Sequence, residues 1–369
     1  MKIGIITFHA SHNYGSMLQA WALQTYLIGL GHDVELVNFR SAIQKTIYHK
    51  PLSLARVDVA LASLKRLLLF PSSIKPLYKK WYLFEDFLRQ EFKLSKECGS
   101  FSDLARETHN YDLLICGSDQ IWNTNAPDSG GAYYGNWFKG RKISYAASMG
   151  QYPEKCNAGY LKEQIKGFEK ISVREERTKA FLQDNDIVNN ISVVCDPTLL
   201  LDSHQYDDLA GDEPLIKGDY VFFYTPVGLP YEHITIASDI GKKLGCRVVT
   251  EKAYYPKDIK RYGNIEQYIT TGPKEFLNLI KYAKCVCGGS FHLQVFSILF
   301  KKDFYCINGD KDSRTKHLLN ILGLKDRIIS LSSPNQHAPL QIVYGENIEK
   351  ALDNYRESSV QFITQYVYE

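Results

Sequence analysis

Lys2-Ile3-Gly4-Ile5-Ile6-Thr7-Phe8-His9 opens the chain, and Asn13-Tyr14-Gly15-Ser16 follows, then Met17-Leu18-Gln19-Ala20-Trp21-Ala22-Leu23. Residues 2–8 form a short isoleucine-rich run, apolar throughout rather than alternating, as in a parallel strand covered on both faces. The Asn-Tyr-Gly-Ser stretch punctuates it, and Ser16 suits the cap of a helix over 17–30. Leu23, Tyr26, Leu27 and Leu30 recur there on one helical face. Gly31 ends the helix and residues 34–39 read as a second strand. Strand, helix and strand within about 40 residues make a βαβ unit with a right-handed crossover.

Working outward, the pattern returns twice. Residues 112–116 read as a strand ending in Gly117-Ser118-Asp119-Gln120. Strands at 142–147, 171–173 and 192–195 follow, with helices near 160–169 and 175–184. Gly211-Asp212-Glu213-Pro214, with Lys217-Gly218, is the best linker candidate. A second series runs beyond it: strands 220–224, 247–250, 284–287 and 304–307, and helices 231–244, 274–282, 291–300 and 313–322. The fold class is therefore α/β, with two Rossmann-like domains facing across a cleft and ligands expected at the C-terminal ends of the strands. The expected domains are 1–210, carrying a basic helical insertion at about 41–95, and 219–369.

Composition bounds the function. The 369 residues are 44% hydrophobic and 23% charged, with a net charge of +3, so no global field argues for nucleic acid, and none is expected as partner. Twenty-five Tyr and 18 Phe favour sugar binding slightly, since a ring face covers C–H groups, although Tyr is also an ordinary strand residue. The eight cysteines read as reduced core residues; Cys285 and Cys287 share a strand face but have no partner at metal spacing. No metal is expected. The opening apolar run is too short for a signal peptide and no stretch approaches the roughly 20 apolar residues of a spanning helix, so a cytoplasmic location is expected.

One region breaks the charge balance. Between Arg40 and Phe84 the basic residues are Arg40, Lys45, Lys50, Arg56, Lys65, Arg66, Lys75, Lys79 and Lys80, against Asp58 alone. Leu52, Leu54, Val57, Val59, Leu61, Leu64, Leu67, Leu68 and Leu69 are interleaved with them. The simpler reading is an ordinary helix covering the sheet with its lysines in water; the alternative is an element that lies on an anionic membrane surface, which would bring the protein to its inner face, or that grips a lipid-linked diphosphate.

Several stretches together resemble the polysaccharide pyruvyltransferases. They are residues 4–23 (His9, Asn13-Tyr14-Gly15 and Leu18-Gln19-Ala20-Trp21-Ala22-Leu23), 112–122 (Gly117-Ser118-Asp119-Gln120-Ile121-Trp122), 143–150, 172–178, 196–201 and 272–304. The resemblance runs in order over nearly the whole chain. It implies a GT-B-like arrangement, with the N-terminal domain on the acceptor side and the C-terminal domain on the donor side. It also implies an enzyme that moves the enolpyruvyl group of phosphoenolpyruvate onto a sugar of a surface polysaccharide precursor, such as a capsule or exopolysaccharide. Phosphoenolpyruvate would be a co-substrate, no cofactor would be needed, and the partner would be a sugar or lipid-linked oligosaccharide.

Ketal formation requires protonation of the donor's methylene carbon, attack of a sugar hydroxyl at C2, loss of phosphate and closure by a second hydroxyl. Cationic clamps, a general acid and a general base are needed. His292 follows a strand and Gly288-Gly289-Ser290, beside a helix N-terminus that favours anions. The resemblance makes it a donor contact and proton donor. Many relatives read Arg-any-His-Gly where this chain has Ser290-Phe291-His292-Leu293, so a clamp is missing at Ser290 and Leu293 narrows backbone approach. Ser290 can still bond a phosphate oxygen. Arg174 ends a strand before Glu175-Glu176, and the resemblance associates it with the donor's anionic groups; a surface ion pair is the simpler reading. Arg314 is a substitute clamp, with Lys301 and Lys302 as alternatives. Asn13-Tyr14-Gly15 is read as a loop turning N–H groups toward an anion or hydroxyl through left-handed angles. His9 and His12 are within reach of it, and His9 is either a base for the acceptor or a core histidine. Asp119 either caps a helix or accepts from sugar hydroxyls. Asp196-Pro197-Thr198 fits a structural turn. The competing readings are a glycosyltransferase using a nucleotide sugar, and a non-catalytic relative.

Overall fold

A computed structural model of the chain describes residues 1–54, 56–69, 71–226, 231–252, 259–334 and 341–368. It divides into two compact units: residues 1–48, 88–201 and 349–369 form the first, 49–87 and 202–348 the second.

The first unit is built on a six-stranded parallel sheet. Its strands are β1 (Lys2–Ile6), β2 (Asp33–Leu36), β3 (Leu113–Cys116), β4 (Arg141–Ala147), β5 (Lys170–Val173) and β6 (Ile191–Val193), in the order β2-β1-β3-β4-β5-β6. All four residues of β3 are buried, as a central strand covered on both faces requires. Gly4 is obligatory: a Cβ there would lie 2.4 Å from the Tyr111 ring. Helix α1 (Tyr14–Gly29) joins β1 to β2. It begins three residues earlier than expected, because the Asn13 side chain, not that of Ser16, caps it by accepting from Ser16 N at 3.2 Å. Helices α2 (Ala42–Ile47), α3 (Val57–Leu69), α4 (Ile74–Glu91) and α5 (Phe101–Glu107) come next, then α6 (Ala158–Gln164) and α7 (Glu176–Asp184). No helix follows Ser118-Asp119-Gln120, which enters a series of turns.

The second unit repeats the design. After α8 (Ser203–Ala210) come β7 (Tyr220–Tyr224), α9 (Tyr231–Lys243), β8 (Arg247–Thr250), β9 (Ile265–Gln267), α10 (Pro273–Lys281), β10 (Cys285–Gly288), α11 (Phe291–Leu299), β11 (Phe304–Ile307), α12 (Ser313–Ile321) and β12 (Ile328–Ile329). The sheet, again parallel, has the order β12-β11-β10-β7-β8-β9.

The unit boundaries differ from the expected domains. The last helix, α13 (Glu346–Tyr368), buries Phe362, Ile363, Tyr366 and Val367 in the first unit, and its Ser359 hydroxyl accepts from Cys195 N at 2.7 Å. The helical insertion divides, and 49–87 belongs to the second unit. There Lys80 pairs with Glu251, and Leu83 packs so closely that a Cβ on Gly272 would lie 2.6 Å from it. Residues 211–218 are not a linker. Asn278 donates to Ala210 O at 2.8 Å and Glu213 O at 2.9 Å, which ties α8 and the following turn to the second unit.

Candidate active site

In each sheet the chain runs from its first strand to one side and then returns to the other. The switch points lie between β1 and β3 in one unit and β7 and β10 in the other, the places where doubly wound sheets bind ligands at their strand ends.

At the first switch point the strand ends carry a buried polar network. Gly117 has φ 131°, and a Cβ would lie 2.1 Å from Tyr145 O, so only glycine fits. The Gly117–Ser118 peptide is cis. Asp119, at φ 66°, accepts from Ser16 Oγ at 2.5 Å. Arg174 is 2% exposed. Its Nε donates to Glu175 at 3.0 Å and its Nη1 to Asp196 at 2.6 Å, and Nη2 lies 3.9 Å from Asp119. Ser148 and Thr178 donate to Glu175, and Thr198 donates to Asp196 through both N and Oγ1. Burial disfavours the Arg174 charge, but Glu175, Asp196 and Asp119 outweigh it and hold the guanidinium above its ordinary range.

This arrangement corrects several expectations. One cation faces three carboxylates, so an approaching anionic donor would meet net negative charge beside Arg174 rather than an open clamp. His9 is fully enclosed; Nδ1 meets Thr7 O and Nε2 the Asn38 side chain, both at 3.2 Å. Burial lowers its pKa, and nothing in this placement brings it to an acceptor hydroxyl. Tyr14 and Gly15 are buried in the first turn of α1, and Asn13 has φ −127°, so no left-handed loop forms there.

Nearer the surface, the Tyr48 ring lies 5.7 Å from His12, and the Tyr48 hydroxyl is hydrogen-bonded to Asp128. Burial raises the Asp128 carboxyl above its ordinary range, and the Asp119 charge adds to this. Asp128 follows Ala126-Pro127 in a turn, without periodicity to single it out from the sequence.

At the second switch point the approach is closer. Gly288 has φ 152°, and a Cβ would stand 1.8 Å from Tyr224 O. Beside it, a Cβ on Gly289 would meet Ile307 O at 3.2 Å and His233 Cε1 at 3.4 Å. Ser290 then takes the cap position of α11, with no capping hydrogen bond from its side chain, and His292 stands buried in the first turn. His233, from the first turn of α9, brings its buried ring against Gly289. Its Nδ1 is buried without a hydrogen-bond partner, and burial lowers its pKa. Sequence reasoning missed it, although it follows β7 as His292 follows β10.

Arg314 lies over the Phe291 ring, 5.8 Å from its centroid, and is held bidentately by Asp312 at 2.9 and 2.7 Å. Leu293 is fully buried, and a Cβ on Gly288 would lie 2.9 Å from its Cδ2. Lys301 is not brought to this site. It follows the other end of α11, beyond nine helical residues that span about 13 Å. Among the described residues, no group of three or more His, Cys, Asp or Glu is placed to hold a metal.

Two Rossmann-like α/β units, each with its switch point, define a GT-B-like fold, and solved structures agree. UDP-GlcNAc 2-epimerase from Methanocaldococcus jannaschii is similar over 100% of both chains, with TM-score 0.52 and 11% identity. The S. aureus MnaA–UDP co-structure is similar over 96% of this chain and 87% of that one, with TM-score 0.50 and 12% identity. No curated protein sequence matches significantly. The family described as polysaccharide pyruvyl transferase matches residues 13–311, and the chain belongs to that family. The matched span includes Asp119, Arg174, Ser290 and His292; His9 and Arg314 lie outside it.

Proposed function

We propose that this transferase moves the enolpyruvyl group of phosphoenolpyruvate onto a sugar of a surface polysaccharide precursor, forming a pyruvate ketal. The observation that carries the reading is the glycine turn that opens α11, with His292 in the first turn of that helix and His233 packed against Gly289. The N–H groups and dipole of α11 suit the donor's phosphate and carboxylate. His292 gives a proton to the methylene carbon. Neutral His233 bonds a donor oxygen through Nδ1. Ser290 and Arg314 contribute a hydroxyl and a partly neutralised guanidinium in place of the missing arginine.

On the first unit, Asp128 takes the proton from the attacking sugar hydroxyl, with Tyr48 orienting the carboxylate. The sugar oxygen bonds to C2, the C2–O bond to phosphate breaks, and a neighbouring hydroxyl closes the ring as its proton passes to the departing phosphate. Asp119, fixed by Ser16, receives hydrogen bonds from sugar hydroxyls, and Arg174 keeps the strand ends together.

Incubation with phosphoenolpyruvate and an oligosaccharide acceptor tests this. Phosphate release with acid-labile pyruvate on the sugar is expected, and His292→Gln should reduce it by about 10²–10⁴-fold. Thermal stabilisation by nucleotide sugars and not by phosphoenolpyruvate would overturn the reading in favour of glycosyl transfer.

A further inference from the structure

Helix α3 presents its apolar side to solvent. Val57, Leu61, Leu64 and Leu68 are 79%, 62%, 52% and 71% exposed. Their spacing, four, three and four residues, places them in one line along the helix. The opposite side is tethered. Ser63 Oγ donates to Ser53 O at 3.1 Å and accepts from Ser53 N at 3.0 Å, Arg66 donates to Pro51 O, and Val59 is buried. The helix is therefore held by its polar side with its leucines outward, the reverse of a helix that covers a core. Leu54, just before the helix, is 86% exposed as well.

The charges around it are mostly basic. Residues 49–87 hold Lys50, Arg56, Lys65, Arg66, Lys75, Lys79 and Lys80 against Asp58, Glu85 and Asp86, seven less three, or +4. Lys65 stands exposed alongside the leucine stripe, and Lys75 and Lys79 are exposed on α4. Asp58 is matched by Arg56 at 3.0 Å. A second copy of the chain would set like charges against each other, whereas an anionic surface satisfies both the leucines and the lysines. We propose that α3 is a membrane-docking element that inserts its leucine stripe among the headgroups of an anionic phospholipid bilayer. Among the described residues, no helix is long and apolar enough to cross a membrane, so the element lies on the surface. The proposal does not depend on the chemistry assigned to the active site.

Co-sedimentation of the full chain with phosphatidylcholine vesicles, with and without phosphatidylglycerol, tests it. Binding is expected to the anionic vesicles and to weaken as salt rises. Lys65→Gln should lower partition about fivefold, and Leu61→Gln/Leu64→Gln/Leu68→Gln together by at least about a hundredfold. These side chains are exposed, so the triple variant should melt as the wild type does. Wild-type protein that ignores anionic vesicles would overturn the proposal, as would a triple variant that binds as well as wild type. So would a wild-type dimer that the triple variant converts to monomer without any vesicle binding, since a second copy would then cover the stripe.

Discussion

Replacing Arg174 with Met removes the one guanidinium placed among Asp119, Glu175 and Asp196 while keeping most of its volume. All four side chains are almost fully buried, with Arg174 at 1% and Asp196 at 0% side-chain exposure. Removing one partner from such a pair costs about 3–5 kcal/mol, and here three carboxylates lose the same partner, so about 5 kcal/mol is expected. That is most of the stability of many domains. The pH dependence identifies the cause. In the folded variant at least one carboxylate takes up a proton that its unfolded counterpart does not hold. The folded variant then binds more protons than the unfolded chain, so its stability falls as pH rises. The gap between variant and wild type should be largest near pH 8 and narrow toward pH 5, by up to about 1.4 kcal/mol per pH unit for each proton. Urea unfolding of both proteins across that range measures it, and contributions common to both cancel. A gap of equal size at both ends would refute the electrostatic argument. A variant of normal stability with a raised KM for phosphoenolpyruvate would show that Arg174 is an open donor clamp after all.

Asp128→Asn should lower kcat by about 10²–10⁴-fold and remove the acid limb of the pH–rate profile, because the base acts only when ionised. Tyr48→Phe should move that limb to higher pH, since the Tyr48 hydrogen bond is one of the influences holding the Asp128 carboxyl down. His9 and His233 both have lowered pKa values, so the folded state resists protons that the unfolded chain accepts. Stability should decline as pH falls below about 6.5, and His9→Gln, though less stable near pH 8, should show a shallower decline. Gly288→Ala sets a Cβ 1.8 Å from Tyr224 O at φ 152° and should cost at least about 3 kcal/mol in thermal or urea unfolding. Gly289→Ala meets contacts of only 3.2 and 3.4 Å and should chiefly raise the KM for the donor, through His233.

The central strands were legible because a parallel strand covered on both faces is a continuous apolar run. Strands β7 and β11 lie where such runs occur, at 220–224 and 304–307. The edge strands β9 and β12 escaped, since Ile265-Glu266-Gln267 carries one apolar residue and Ile328-Ile329 is too short for any period. Exchange of segments between the units was illegible for a different reason. The amphipathic pattern of α13 says that one face is covered, not which sheet covers it, and that of α3 does not say that its apolar face is left exposed. At the sites, His292 and Asp119 could be found because each follows a strand and a glycine. Asp128 and Tyr48 meet only through the tertiary fold, 80 positions apart in sequence.

The two switch points differ in how far their polar groups are already bonded to one another. At the first, the innermost polar groups bond to one another: the Arg174 guanidinium and the Asp119, Glu175 and Asp196 carboxylates form one network, with Ser16, Ser148, Thr178 and Thr198 completing it. That network is negative on balance, which repels an anionic donor and suits hydroxyl groups that approach as hydrogen-bond donors. At the second, the glycines withhold side chains, the helix offers N–H groups, and His233 Nδ1 is buried without a partner. A buried polar atom in that condition costs free energy until a partner bonds to it, so in the proposed reaction this site would gain on donor binding what the first has already spent within itself. The same contrast explains why a serine is tolerable at position 290. In the proposed reaction the α11 N-terminus, with His292 and His233, would supply anion affinity from the backbone and from neutral donors, so a missing guanidinium would weaken the site without reversing its sign.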